Sequence, residues 1–184
     1  MESRGVAQPG SAPASGVGCR PFESARPDHS SSIQKRPPVM VGVIGAAAPP
    51  EELKEEAFLL GRGIAQRGWI LVCGGRTGVM EEAARGAAEE GGITVGILPS
   101  SSTEEANPYI LCPIATGMGS ARNSIIITTS RILVAVGGGY GTLSEIALAL
   151  KAGKTVLGLK SWEIPGMVKV ADHAHALKIL EDTL

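Results

Sequence analysis

The stretch of this 184-residue chain whose residue types point most directly to chemistry is Gly137-Gly138-Gly139-Tyr140-Gly141-Thr142. The run Arg131 to Val136 leads into it as a strand, and Gly141-Thr142 opens an apolar-rich segment at helical spacing. Glycine puts no Cβ between backbone and ligand. The first turn of the helix behind it offers unpaired N–H groups at the positive end of its dipole. A turn of this kind takes an anion, most often a phosphate. Gly137, Gly138, Gly139, Gly141 and Thr142 are therefore candidate phosphate-binding residues. Two further strand ends run into glycine, at Gly45 and at Gly74-Gly75-Arg76. Gly45, Gly74, Gly75 and Arg76 join the candidates, with Arg76 either a ligand contact or a solvated charge.

The elements that would hold these turns can be taken in chain order. Val39 to Gly45 is a continuous apolar run, as expected for a strand buried on both faces. Pro49 and Pro50 then sit where a first helical turn tolerates proline, with Glu51 and Glu52 favourable to its dipole. Leu53, Ala57, Leu60 and Ile64 keep one face of that helix apolar up to Gly68. Trp69 to Cys73 reads as a second strand, Val79 to Glu90 as a helix, and Ile93 to Leu98 as a third strand. Ser100 to Pro108 is polar and reads as an exposed loop. Leu111 to Ala115 is a short strand weakened by Pro113. Gly117 to Thr129 is expected to be helical, as are Gly141 to Lys151 and Ala174 to Leu184, with Thr155 to Leu159 as the last strand. Strands alternating with helices imply right-handed crossovers and a parallel sheet covered on both faces. The fold class is α/β, a doubly wound parallel sheet in a single domain over residues 39–184. Ligands of such sheets lie outside the carboxyl ends of the strands, where all three glycine turns fall.

Composition narrows the function classes. Hydrophobic residues make up 43% of the chain and aromatics 3%, so the core is built from Val, Ile, Leu, Ala and Met. A net charge of −1 gives no electrostatic footprint for nucleic acid and no basic surface for membrane. No apolar run approaches the ~18–20 residues of a transmembrane helix, so the expected location is cytoplasmic. The three cysteines, Cys19, Cys73 and Cys112, are widely spaced and outside any CxxC, which implies neither a disulfide framework nor a zinc site. No metal site is expected. His173 and His175 are two apart on a helix and face different directions, as surface or cap residues, while Cys73 and Cys112 read as buried apolar fillers.

Residues 1–38 differ from the rest, being rich in Ser, Pro, Gly and Arg without a periodic apolar pattern, which is the composition of a disordered segment. Their GVAQPGSAPASGVGCRPFESARPDH resembles the translation of a tRNA gene. The expectation is a spurious extension, with Met40 as the natural start.

GGRTGVME (Gly74 to Glu81), GILP (Gly96 to Pro99), Asn107 to Tyr109 and VGGGYGTLSEIALAL carry a resemblance over roughly Val39 to the C-terminus. They resemble a Rossmann-like nucleotide-binding family that includes the molybdenum cofactor carrier proteins. They are more distantly similar to the "lonely guy" (LOG) cytokinin-activating phosphoribohydrolases, often mislabelled lysine decarboxylases. The resemblance implies a Rossmann-like fold, a homodimer or homotetramer, and a phosphate held at the GGGYGT turn. The phosphoribohydrolase pattern is PGGxGTxxE plus an arginine followed by lysine. Gly138, Gly139, Gly141, Thr142 and Glu145 match it, with Gly137 in place of the proline. Arg122 stands for the arginine, with Asn123 in place of the lysine. In the hydrolase reading Arg122 orients phosphate and ribose, and Glu145 assists cleavage of the N-glycosidic bond through an oxocarbenium-like transition state. The two departures suit the carrier branch, where the resemblance implies binding a phosphorylated pterin cofactor, the molybdenum cofactor, without turnover.

Plainer readings stand beside these. Thr142-Leu143-Ser144-Glu145 has the form of a capping box, in which the carboxylate satisfies a backbone N–H. Arg122 near a helix start can simply pair with a carboxylate. Ile125, Ile126 and Ile127 are more apolar than one buried face needs, which favours a subunit interface over a purely internal helix. A P-loop ATPase is disfavoured by the lack of GxxxxGK[ST]. No lysine has the context of a Schiff-base decarboxylase.

Overall fold

The computed structural model describes residues 37–184. The expectations for a spurious N-terminal extension therefore fall almost entirely outside the described residues. Strand β1 (Met40–Gly45) is buried at positions 41–44, as its unbroken apolar run requires. Helix α1 (Glu51–Gln66) follows Pro50, which takes an extended conformation at the cap, and buries Leu53, Ala57, Leu60 and Ile64. Then come β2 (Ile70–Cys73), α2 (Val79–Glu89), β3 (Thr94–Leu98) and β4 (Cys112–Ala115). A single 3-10 turn (Gly119–Arg122) leads directly into α3 (Asn123–Thr129) and β5 (Ile132–Val136). The order closes with α4 (Tyr140–Lys151), β6 (Thr155–Leu159), β7 (Val168–Val170) and α5 (His173–Thr183).

The strands form one parallel sheet in the order β4-β3-β2-β1-β5-β6-β7. From β1 the chain winds outward to β4, returns to the middle at β5, and winds outward the other way. One face packs Ala57 and Leu60 of α1, Val79 and Ala83 of α2, and Ala176 and Leu180 of α5. The other packs Ile126 and Ile127 of α3 with Ile146 and Ala149 of α4. This is the doubly wound Rossmann-like α/β arrangement expected. Because Gly45 pairs with Val136, the turns after β1 and β5 open side by side where the winding reverses, the point at which such sheets leave a crevice.

Four details differ from the sequence reading. Strand β7 was not foreseen, since three residues, two of them exposed, carry no periodicity. The helix expected over Gly117 to Thr129 begins only at Asn123, because Gly117 (φ 64°) and Gly119 (φ 53°) are left-handed. Cys112 is exposed rather than buried, since β4 is an edge strand with every residue exposed; the same position makes Pro113 tolerable. Ile126 and Ile127 are buried within the chain itself and only Ile125 is half-buried, so the apolar excess in α3 no longer argues for a subunit interface.

Candidate functional site

The crevice at the reversal of the sheet is a cavity of about 520 Å³. The turn after β1 contributes Gly45, the turn after β2 contributes Arg76, and the turn after β5 contributes Gly139, Gly141 and Thr142. Arg122 and Glu145 border the same space. Residues separated by almost a hundred positions thus meet because three strand ends lie next to one another. Gly74, Gly75, Gly137 and Gly138 do not line the cavity; they stand behind it. A Cβ on Gly74 would lie 2.6 Å from Nη2 of Arg122, so that glycine makes room for the guanidinium. Gly137 and Gly138 have φ of 57° and 129°, a bend that side-chain-bearing residues rarely adopt, and a Cβ on Gly138 would strike the Thr142 side chain at 2.5 Å.

Helix α4 begins at Tyr140, and its first closing bond runs from Leu143 N–H to the Gly139 carbonyl at 3.0 Å. Among the described residues the amides from Gly138 to Thr142 find no main-chain acceptor, as at any helix start not capped from within. This start also removes the capping-box reading. Gly139 is the cap residue, no side chain caps the helix, and Thr142 lies within the first turn. Glu145 turns instead to Arg122, whose Nη1 donates to its Oε1 at 3.4 Å.

Arg122 is the unusual member of the site. It is only 8% exposed, and Nη1 also donates to Oδ1 of Asn123. Its Nε is buried with no partner, the only such side-chain nitrogen or oxygen among the described residues. Burial pulls the guanidinium below its ordinary pKa despite Glu145, and burial pushes the Glu145 carboxyl above the ordinary glutamate value despite Arg122. Desolvation outweighs mutual attraction for both partners, as expected for a long contact in a buried place. An anion bound in the cavity that Arg122 borders would supply the missing compensation.

Sequence reasoning missed how the polar loop is used. Asn107 is buried; its main-chain N–H donates to the Gly75 carbonyl at 2.9 Å and its Nδ2 to the Arg76 carbonyl at 2.8 Å. Its Oδ1 accepts from Tyr109 N–H at 3.1 Å. The loop after β3 is therefore pinned onto the turn after β2, and Arg76 itself stays exposed, 3.9 Å from Glu105. Ser161 was missed as well: its hydroxyl donates to the Gly137 carbonyl at 2.6 Å and holds the bend from below. The remaining candidates behave as read. Cys73 is an apolar filler whose thiol burial pushes up to about 11, and His173 meets Glu56 Oε2 at 2.8 Å beside the α5 cap.

Residues 38–183 match LDcluster4, the SLOG cluster4 family. The chain belongs to the SLOG cluster4 family. Among solved structures, the molybdenum cofactor binding protein of Rippkaea orientalis is 34% identical with a TM-score of 0.77, over 80% of this chain and 98% of that one. The molybdenum cofactor carrier protein of Chlamydomonas reinhardtii is 40% identical with a TM-score of 0.74, over 79% of this chain and 98% of that one. An uncharacterised Archaeoglobus fulgidus protein is 49% identical over 66% of this chain and 80% of its own length. A cytokinin riboside 5'-monophosphate phosphoribohydrolase of Mycobacterium marinum is 34% identical over 58% of this chain, which spans only 59% of that enzyme. The chain is thus similar both to cofactor-binding proteins, which it covers nearly end to end, and to a LOG-type enzyme, of which it spans about three fifths. Among the described residues no helix is long and apolar enough to cross a membrane.

Proposed function

We propose that this protein binds a phosphorylated small molecule, a nucleotide or a molybdopterin-type cofactor, with its phosphate at the Gly138–Thr142 turn, and that it acts as a carrier rather than an enzyme. The observation that carries the reading is that Gly139, Gly141 and Thr142, whose amides have no main-chain acceptor, line one cavity together with Arg122. Main-chain donors short of acceptors and a guanidinium around one cavity fit a doubly charged oxyanion. Nearly complete coverage of two cofactor-binding proteins supports the same class of ligand. A homodimer or homotetramer is proposed on the same resemblance. Mass spectrometry of small molecules released from freshly purified protein tests the ligand: an intact phosphorylated heterocycle is expected. Recovery of no phosphorylated species, together with no binding of AMP, GMP or inorganic phosphate, would contradict it.

The second reading is a nucleoside 5'-monophosphate phosphoribohydrolase, favoured by Glu145 lying at the same cavity as the proposed phosphate site. In that reading Arg122 orients the phosphate and the Glu145 carboxylate stabilises positive charge on the ribose. Gly137 and Asn123 in place of the hydrolase proline and lysine count against it. Incubation with a panel of nucleoside monophosphates separates the two. Free base and ribose 5-phosphate, abolished in Glu145→Gln and Arg122→Ala, would establish turnover; intact nucleotides after long incubation fit the carrier.

A further inference from the structure

A second cavity, of about 510 Å³, lies at the carboxyl end of β6 under the segment joining β6 to β7. It has the size and lining of a small-molecule site. Ile164 and Met167 make its floor, with the Met167 methyl so close to Gly158 that a Cβ there would lie 2.7 Å away. Trp162 forms an aromatic wall. Lys160 and Lys169 stand at the lining, paired with Glu52 and Glu163 respectively. Lys160 is also the only non-glycine residue with positive φ (45°) among the described residues, a strain that tends to collect at binding sites.

This cavity touches the glycine turn. The indole Nε1 of Trp162 donates to the Gly139 carbonyl at 3.3 Å, and Gly139 lines the first cavity. A lining residue of each cavity is therefore joined to the other by a hydrogen bond. Tyr140, 84% exposed at the start of α4, lies with its ring centroid 6.2 Å from that of Trp162. The chain has only two Trp and two Tyr, yet one of each is left in solvent at this edge of the turn. Exposed rings held in place offer a stacking surface for a flat π-system.

We propose that this second cavity receives the planar heteroaromatic ring of the ligand whose phosphate lies at the glycine turn, with Trp162 as the stacking wall. The proposal rests on the phosphate reading above and adds the subsite that chooses the ring. Calorimetric titration with GMP and with ribose 5-phosphate tests it in wild-type protein, Trp162→Leu and Trp162→Phe. Wild-type protein should prefer GMP by about tenfold, the size of one good stacking contact. Trp162→Leu should lose that preference while holding ribose 5-phosphate as before, and Trp162→Phe, which keeps a ring but no indole N–H, should retain most of it. In a Trp69→Phe background Trp162 is the remaining tryptophan, and its fluorescence should be quenched by GMP and not by ribose 5-phosphate. Undiminished preference for GMP in Trp162→Leu, or no quenching at saturating GMP, would overturn the ring subsite and leave the phosphate site standing. Equal weakening of both ligands in both variants would show that Trp162 acts only by supporting Gly139, and would also overturn it. Binding of neither ligand by wild-type protein would overturn the phosphate reading and the subsite together.

Discussion

Glycine serves two different ends in this molecule, and the contrast separates packing from function. Where α1 crosses α2, a Cβ on Gly61 would lie 1.9 Å from the Ala83 carbonyl oxygen and one on Gly86 2.0 Å from that of Phe58. Those glycines exist because two backbones touch. At the mouth of the cavity Gly139 and Gly141 would each place a Cβ in open space, with nothing within 4 Å, and neither has a left-handed φ. Nothing in the chain itself asks for glycine there. The proposed ligand, approaching the backbone from outside, would, since a phosphate is the group that unclaimed amides at a helix start draw in. Glycine forced by packing reports on stability; in the proposed function, glycine without a steric reason makes room for a ligand.

Substitutions can break this contrast. The largest effect is expected at the helix crossing, where Gly61→Ala must push α1 off α2 and should cost about 3 kcal/mol in urea unfolding. Next is Arg122→Lys, which keeps a positive charge opposite Glu145 but loses the fork and the Nε donor. It should weaken AMP binding by roughly 10- to 100-fold, the worth of one or two charge-assisted hydrogen bonds. Gly141→Ala should leave the unfolding midpoint unchanged or slightly raised, since alanine suits a helix better by up to about 1 kcal/mol, while AMP affinity falls by about tenfold. If Gly141→Ala instead unfolds the protein and Gly61→Ala does not, the assignment of the two glycine classes is reversed.

The smallest effect concerns the charge pair. Burial raises the pKa of Glu145 in the folded state, so the folded protein holds that proton more tightly than the unfolded chain does. Its contribution to stability is complete below the ordinary glutamate range and is lost as pH rises through the raised folded value. Stability measured from about pH 4 upward should therefore fall in wild-type protein by a component that Glu145→Gln lacks. Equal slopes in the two proteins would mean that Glu145 is not burdened by burial.

Much of the fold was legible because its signals are local. Six of the seven strands were read from apolar runs, three of which stop at glycine, and Leu53, Ala57, Leu60 and Ile64 marked the inner face of α1. What was not legible depends on contacts distant in sequence. Asn107 is one polar residue in a polar loop until the fold sets it against Gly75 and Arg76, and Trp162 gives no sign that its indole will meet Gly139. The capping box misled because T-x-x-E has the right spacing for a cap, and only the start of α4 at Tyr140 shows that Glu145 belongs to Arg122. Cys112 misled in the opposite direction, since an apolar strand does not reveal whether it lies at the edge of the sheet.

The account rests on the backbone amides of Gly139, Gly141 and Thr142 and the guanidinium of Arg122 gripping one phosphate. Titration of ¹⁵N-labelled protein with AMP, followed by two-dimensional ¹H–¹⁵N NMR, observes those groups individually. The account predicts that their resonances move together along one saturation curve, with the largest shifts in the protein at these positions. If they stay in place while AMP binds elsewhere, the site lies elsewhere and the central claim is wrong.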